Sequence, residues 1–202
     1  MTRRVLDCVP VALLTVLLVS SAQAGQPRTH DGLFLRLSGG FGVSESNLDQ
    51  SGGDIELSGI GGDGNFAIGG IVSPNLAING TLWGWDVSDP DVEIGDFSGE
   101  ANGDLSLGAV GGGVTYYLMP SNVYLSGSLG LGKLSFEDPD GNSGDTDYGL
   151  AFDACVGKEW WVGNGWGLGV AGDLNFHSLG DDISSENWQG VSFAIRFSAT
   201  MN

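Results

Sequence analysis

Cysteine is almost absent from this sequence, which has two in 202 residues, Cys8 and Cys155. Cys8 lies in a segment expected to be cleaved, so no intrachain disulfide is available and the fold must be held by its packing. Basic residues are also scarce. Seven Lys and Arg stand against 25 Asp and Glu, a formal net charge of −18, which excludes a nucleic-acid binder and a polybasic surface that docks on anionic lipid. Long apolar runs are missing too. The nearest approach, Val9 to Val19, falls short of the roughly 20 residues a spanning helix needs. It follows Arg3 and Arg4 and precedes Ala22-Gln23-Ala24, the pattern of a cleavable secretory signal peptide over residues 1–24. Cys8 stands before that run, where a lipid-modified cysteine would follow it.

Glycine is abundant, at 36 residues, and after a short polar leader at 25–31 the chain from 32 to 202 repeats one unit. Around Met119-Pro120-Ser121-Asn122 two alternating runs meet at a tight turn. Val123, Leu125, Leu129 and Leu131 fall on one parity, Tyr124, Ser126, Ser128 and Gly130 on the other, the period of a strand with one apolar face. Similar short turns recur at Ser73-Pro74-Asn75 and Gly163-Asn164-Gly165. Four long polar or acidic connections alternate with them, at 44–54, 86–104, 137–147 and 178–187. Residues 105–118 do not hold one parity, because Leu105 and Leu107 oppose Val110, Val114 and Tyr116, and a bulge at Gly111-Gly112-Gly113 is expected to reconcile them. The sum is about eight antiparallel strands in one domain, enough to close a barrel.

Alternation alone does not say whether the apolar face meets a soluble core or lipid. The second face is built mainly of Gly, Ser, Ala, Asn and Thr, as the lumen of a narrow barrel requires. Aromatics gather near strand ends. Tyr116, Tyr117, Tyr124, Trp160, Trp161 and Trp166 lie beside the short turns, and Trp83, Trp85, Tyr148 and Trp188 lie near the long connections, as two interfacial girdles would. Together with the signal peptide and the alternation of short and long connections, these features resemble the small outer-membrane β-barrel proteins of Gram-negative bacteria, the OmpA/OmpX-like class. The resemblance implies an all-β, eight-stranded antiparallel up-and-down transmembrane β-barrel in the cell outer membrane, with outer-membrane lipids and the barrel assembly machinery as partners. Barrels of this class end on an aromatic residue read during insertion, whereas this chain ends Phe197-Ser-Ala-Thr-Met-Asn202.

No motif fixes a catalytic centre, a metal or a cofactor. Asp138, Asp140, Asn142 and Asp145 follow the opening spacing of a calcium loop, but the closing Glu is replaced by Gly149, so at most a weak cation loop is expected. His177 with Asp173 and either Ser178 or Ser192 is a candidate for a lipid-hydrolysing triad, and Asp153 with Asp173 has the residue types of a glycosidase pair. Cations or surface ligands are expected at the acidic connections. Lys158, beside Trp160 on the lipid parity, is expected to reach the headgroups. Arg36, Asp63, Asp153, Glu159, Asp173 and Arg196 share the inward parity, so an ion network is expected to close the lumen, with Glu159 on Arg36 and Asp173 on Arg196. The expected function is non-enzymatic envelope structure or surface interaction, with a narrow pore or small-solute carrier as the alternative.

Overall fold

The structure, a computed structural model, describes residues 29–48, 54–181 and 186–201. The signal segment and most of the leader lie outside these residues. In chain order the strands are β1 (Leu33–Leu48), β2 (Ile55–Ser73), β3 (Leu76–Ser88), β4 (Asp91–Ile94), β5 (Phe97–Glu100) and β6 (Asp104–Leu118). They continue as β7 (Val123–Glu137), β8 (Ser143–Asp145), β9 (Gly149–Gly163), β10 (Trp166–Gly180) and β11 (Asn187–Met201). The eight long strands β1, β2, β3, β6, β7, β9, β10 and β11 pair antiparallel around a ring, and β1 bonds both β2 and β11 to close it. Closure removes the wall's edges, so its backbone groups are satisfied within the wall, which is what allows a sheet to cross hydrocarbon.

One parity of every wall strand carries exposed apolar side chains, among them Leu37, Leu82, Val110, Leu129, Leu168 and Phe197. A continuous apolar belt of this kind is a lipid-facing surface. The opposite parity fills the lumen in three layers. Nearest the short turns, Phe34, Tyr117 and Tyr124 pack with Ala67, Ala77 and Ala171. A Cβ on Gly157 would overlap the Tyr124 ring, so that glycine makes room for the aromatic layer. The two arginines and their acids form the middle layer. Above it, Trp85, Val87, Leu105, Leu107, Leu134 and Leu179 close the lumen with an apolar plug.

That plug explains why 105–118 had no single parity in the sequence. β6 contains no bulge, and its register to β3 and β7 runs without a shift. Leu105 and Leu107 are buried inside, whereas Val110 and Val114 face outward. The strand passes from a plugged end, where the inside is apolar, to a membrane zone, where the outside is. Two of the acidic connections also differ from plain loops. The second folds into the β4–β5 hairpin, with β4 paired to residues 55–58 of β2, and the third contributes β8, paired to the end of β7.

Candidate functional site

The middle of the lumen is built around Arg196 on β11. Its Nη1 donates to Asp153 Oδ2 at 2.8 Å and to Asp173 Oδ2 at 2.7 Å, and its Nη2 donates to Asp63 Oδ2 at 3.1 Å. Nε also pairs with Asp63, making that contact two-pointed. The arrangement follows from the register. Asp63, Asp153 and Asp173 arrive from β2, β9 and β10, and the ring brings their inward side chains to one level with Arg196. Towards the short turns, Arg36 Nη2 donates to the Tyr117 hydroxyl at 2.8 Å, which in turn donates to Glu159 Oε2 at 3.3 Å. Arg36 Nε lies 3.6 Å from Glu159 Oε1, and Thr200 Oγ1 donates to that same oxygen at 2.6 Å. The Arg36 guanidinium also sits 3.9 Å from the centre of the Tyr124 ring. Between the two arginines remains a cavity of about 10 Å³, the space of about one water.

Sequence reasoning missed the element that closes the short-turn end. His30, in the leader, is buried there, stacks on Tyr117 at 3.5 Å between ring centres, and donates from Nε2 to Asn122 Oδ1 at 2.7 Å. No periodic pattern surrounds a residue before the first strand, so the sequence carried no signal for it. Tyr117 and Tyr124 were visible as aromatics, and their contact with Arg36 was not, because the Arg36–Tyr117 bond joins residues 81 positions apart.

The aromatic girdles need correction. Trp83, Trp85, Tyr117 and Tyr124 are buried inside the barrel and touch no lipid, Trp83 with 4% and Trp85 with 3% of their surface exposed. Their inward parity overrides their position near strand ends. Trp161 packs on His30, and Trp188 packs against the apolar plug while donating from Nε1 to Asp181 at 3.2 Å. Tyr116 and Trp166 at the short-turn end and Tyr148 at the other are exposed on the outer face. Trp160 lies on the outward parity, with Lys158 Nζ 5.7 Å from its ring centre. Lys158 itself is buried and donates to the Ser121 carbonyl oxygen at 2.7 Å, so it ties β9 to the neighbouring turn and does not reach for headgroups. Lys158→Met is expected to lower stability by about 1.5–3 kcal/mol, the range for a hydrogen bond from a charged donor. A denaturant titration in detergent checks this, and an unchanged midpoint would show that the bond contributes nothing.

The proposed cation loop does not converge. Asp138 accepts from the backbone N–H of Asp140 and Asn142 and from Asn142 Nδ2, closing a local turn whose donors hold its carboxyl below the usual range. Asp145 instead accepts from Lys133 Nζ and Ser135 Oγ, both at 2.6 Å, and the Lys133 bond is the largest cause holding its carboxyl low. Among the described residues no cluster of His, Cys, Asp and Glu has the geometry of a metal site. The triad does not assemble either. His177 Nε2 lies 3.2 Å from Ser46 Oγ, Ser178 points outward, and Asp173 is engaged by Arg196 and by Asn175. Asp153 and Asp173 share Arg196 in a sealed layer with no room for a sugar.

At the long-connection end Glu56 on β2 pairs with Glu93 on β4 and Asn47 on β1. Partial burial, then the neighbouring Glu45 and Glu93, push the Glu56 carboxyl above its ordinary value. Glu45, Glu56 and Glu93 therefore form a local negative patch on strands that continue the barrel wall.

No family model matches the sequence, and no curated protein does. Among solved structures, the chain is similar to Neisserial surface protein A at 15% identity and a TM-score of 0.51, over 82% of this chain and 96% of that one. It is also similar to Ail, the attachment invasion locus protein of Yersinia pestis, at 15% identity and a TM-score of 0.46, over 85% of this chain and 100% of the other. The outer membrane protein OprG from Pseudomonas aeruginosa matches at 18% identity and a TM-score of 0.46, over 86% of this chain and 98% of that one. At such identities the likeness is one of fold. The closed ring of eight strands, its apolar exterior and the likeness to Neisserial surface protein A agree: the chain has the fold of the small eight-stranded outer-membrane β-barrel proteins.

Proposed function

We propose that this protein is a non-conducting, non-enzymatic outer-membrane barrel that acts at the cell surface through its acidic long-connection end, with the short turns in the periplasm. The observation that carries this reading is the filled lumen. His30 and the aromatic layer occupy one end, the two arginines and their four acids the middle, and the apolar plug the other end. An ion would have to disrupt all three layers to cross. The acidic surface above them is the part of the molecule left to meet partners. Purified barrel in planar bilayers is expected to show no steady current above the lipid baseline. A large, stable conductance from the unmodified protein would overturn the reading in favour of a pore.

A further inference from the structure

The β4–β5 hairpin ends in an open edge. β4 bonds β2 on one side and β5 on the other, and among the described residues no strand pairs with the outer side of β5. The hairpin closes at Gly95-Asp96, with Gly95 at a φ of 58°, the first-position glycine that a type II′ turn requires. In such a hairpin the residues flanking the turn bond each other, so Phe97 and Gly99 face β4 while Ser98 and Glu100 turn their N–H and C=O groups outward. Protein edges of this kind are commonly blunted by Lys, Pro or a bulge. β5 is short, at four residues, and carries Glu100, but it has no Lys to repel a basic strand and no Pro to remove a donor.

The two faces of this extension differ. Ile55, Ile94 and Phe97 pair in one row and Leu57, Val92 and Gly99 in another, and Leu57 packs on the lumen plug, so this face is apolar and turned towards the barrel axis. Ile94 is 44% and Phe97 65% exposed, leaving apolar surface at the edge uncovered. The opposite face carries Glu56, Asp91, Glu93 and Glu100, and the hairpin from 91 to 100 contains no basic residue. A second copy pairing edge to edge would set Glu100 and its neighbours against like charges. A strand carrying cations would not.

We infer that the outer edge of β5 is a docking edge for an extended cationic peptide of alternating basic and apolar residues, taken up as an added strand. The inference rests on the surface-interaction reading above. Backbone bonds to Ser98 and Glu100 hold the strand, its basic side chains meet the acidic face, and its apolar side chains cover the exposed Phe97 ring, which lies over Gly99.

The test uses the whole barrel in phosphocholine micelles and a fluorescein-labelled octapeptide in which lysine and valine alternate, followed by anisotropy at two salt concentrations. The alternating peptide is expected to bind at least tenfold more tightly than a block peptide of the same composition, with all its lysines first and all its valines after them. Ser98→Pro, which removes an outward donor, is expected to weaken binding at least tenfold, and Glu100→Lys is expected to do the same with the backbone donors kept. Equal binding of the two peptides, or full binding by both variants, would overturn strand addition and leave an acidic surface that attracts polycations. Binding of neither peptide also overturns it. Bilayer conductance of the same preparation separates the two ideas: a silent barrel that binds no peptide defeats this inference alone, whereas a conducting one defeats the reading beneath it.

Discussion

Arg196→Ala is expected to lower the stability of the folded barrel by about 3–5 kcal/mol, the usual loss when one member of a buried ion pair is removed. The guanidinium is the shared donor to Asp63, Asp153 and Asp173, and all four side chains have 2% or less of their surface exposed. Without it three carboxylates face one another in a buried space with room for about one water. Removing one of them should therefore recover part of the loss. Arg196→Ala with Asp173→Asn is expected to be more stable than the sum of the two single losses, and Arg196→Ala with Asp63→Asn to show the larger coupling, because Asp63 makes the two-point contact. Coupling energies of about 0.5–3 kcal/mol are expected for groups in one network. Urea titrations of the barrel in lipid vesicles, followed by the loss of heat-modifiable migration in gels, measure the parent, the single variants and the double variants. Strictly additive losses would show that the four residues do not act as a unit.

Ile195→Arg is expected to prevent assembly. Ile195 is 40% exposed on the outer face of β11, between Phe193 and Phe197, and pairs with Phe41 of β1 and Gly172 of β10. A cation in the middle of the lipid face of a barrel costs about 2–4 kcal/mol, and here it falls on a strand of the closing seam. Its neighbour Ala194 points into the lumen, only 1% exposed, so Ala194→Arg meets a volume limit and not a lipid one. The two faces can be told apart by single cysteines at 194 and 195 in a Cys155→Ser background, probed with a lipid-soluble maleimide. Preferential labelling at 195 is expected. Equal labelling at both positions would refute the assigned parity.

Much of the architecture was legible because a barrel strand repeats every two residues and each strand spells that period locally. The alternation in β7, β10 and β11, the short turns at Pro74, Pro120 and Gly165, and the inward parity of Arg36, Asp63, Asp153, Glu159, Asp173 and Arg196 are all properties of neighbours in the chain. So is the requirement that two buried arginines find acids. What the chain alone could not settle was what the two faces meet at each height. Trp83, Trp85 and Tyr117 carry the same aromatic signal near strand ends as the exposed Tyr116 and Trp166; their parity separates the two sets, and only the closed ring shows a lumen filled to that height for the first three to pack in. Leu105 and Leu107 looked like a break in parity because an apolar plug inside the barrel and an apolar belt outside it leave the same residue types in sequence. His30, and the β4–β5 hairpin on the edge of β2, were decided by contacts with residues distant in the chain. Periodicity fixes which way a side chain points, and tertiary structure fixes what stands there to meet it, since that depends on strands whose register is set by pairing across the whole ring.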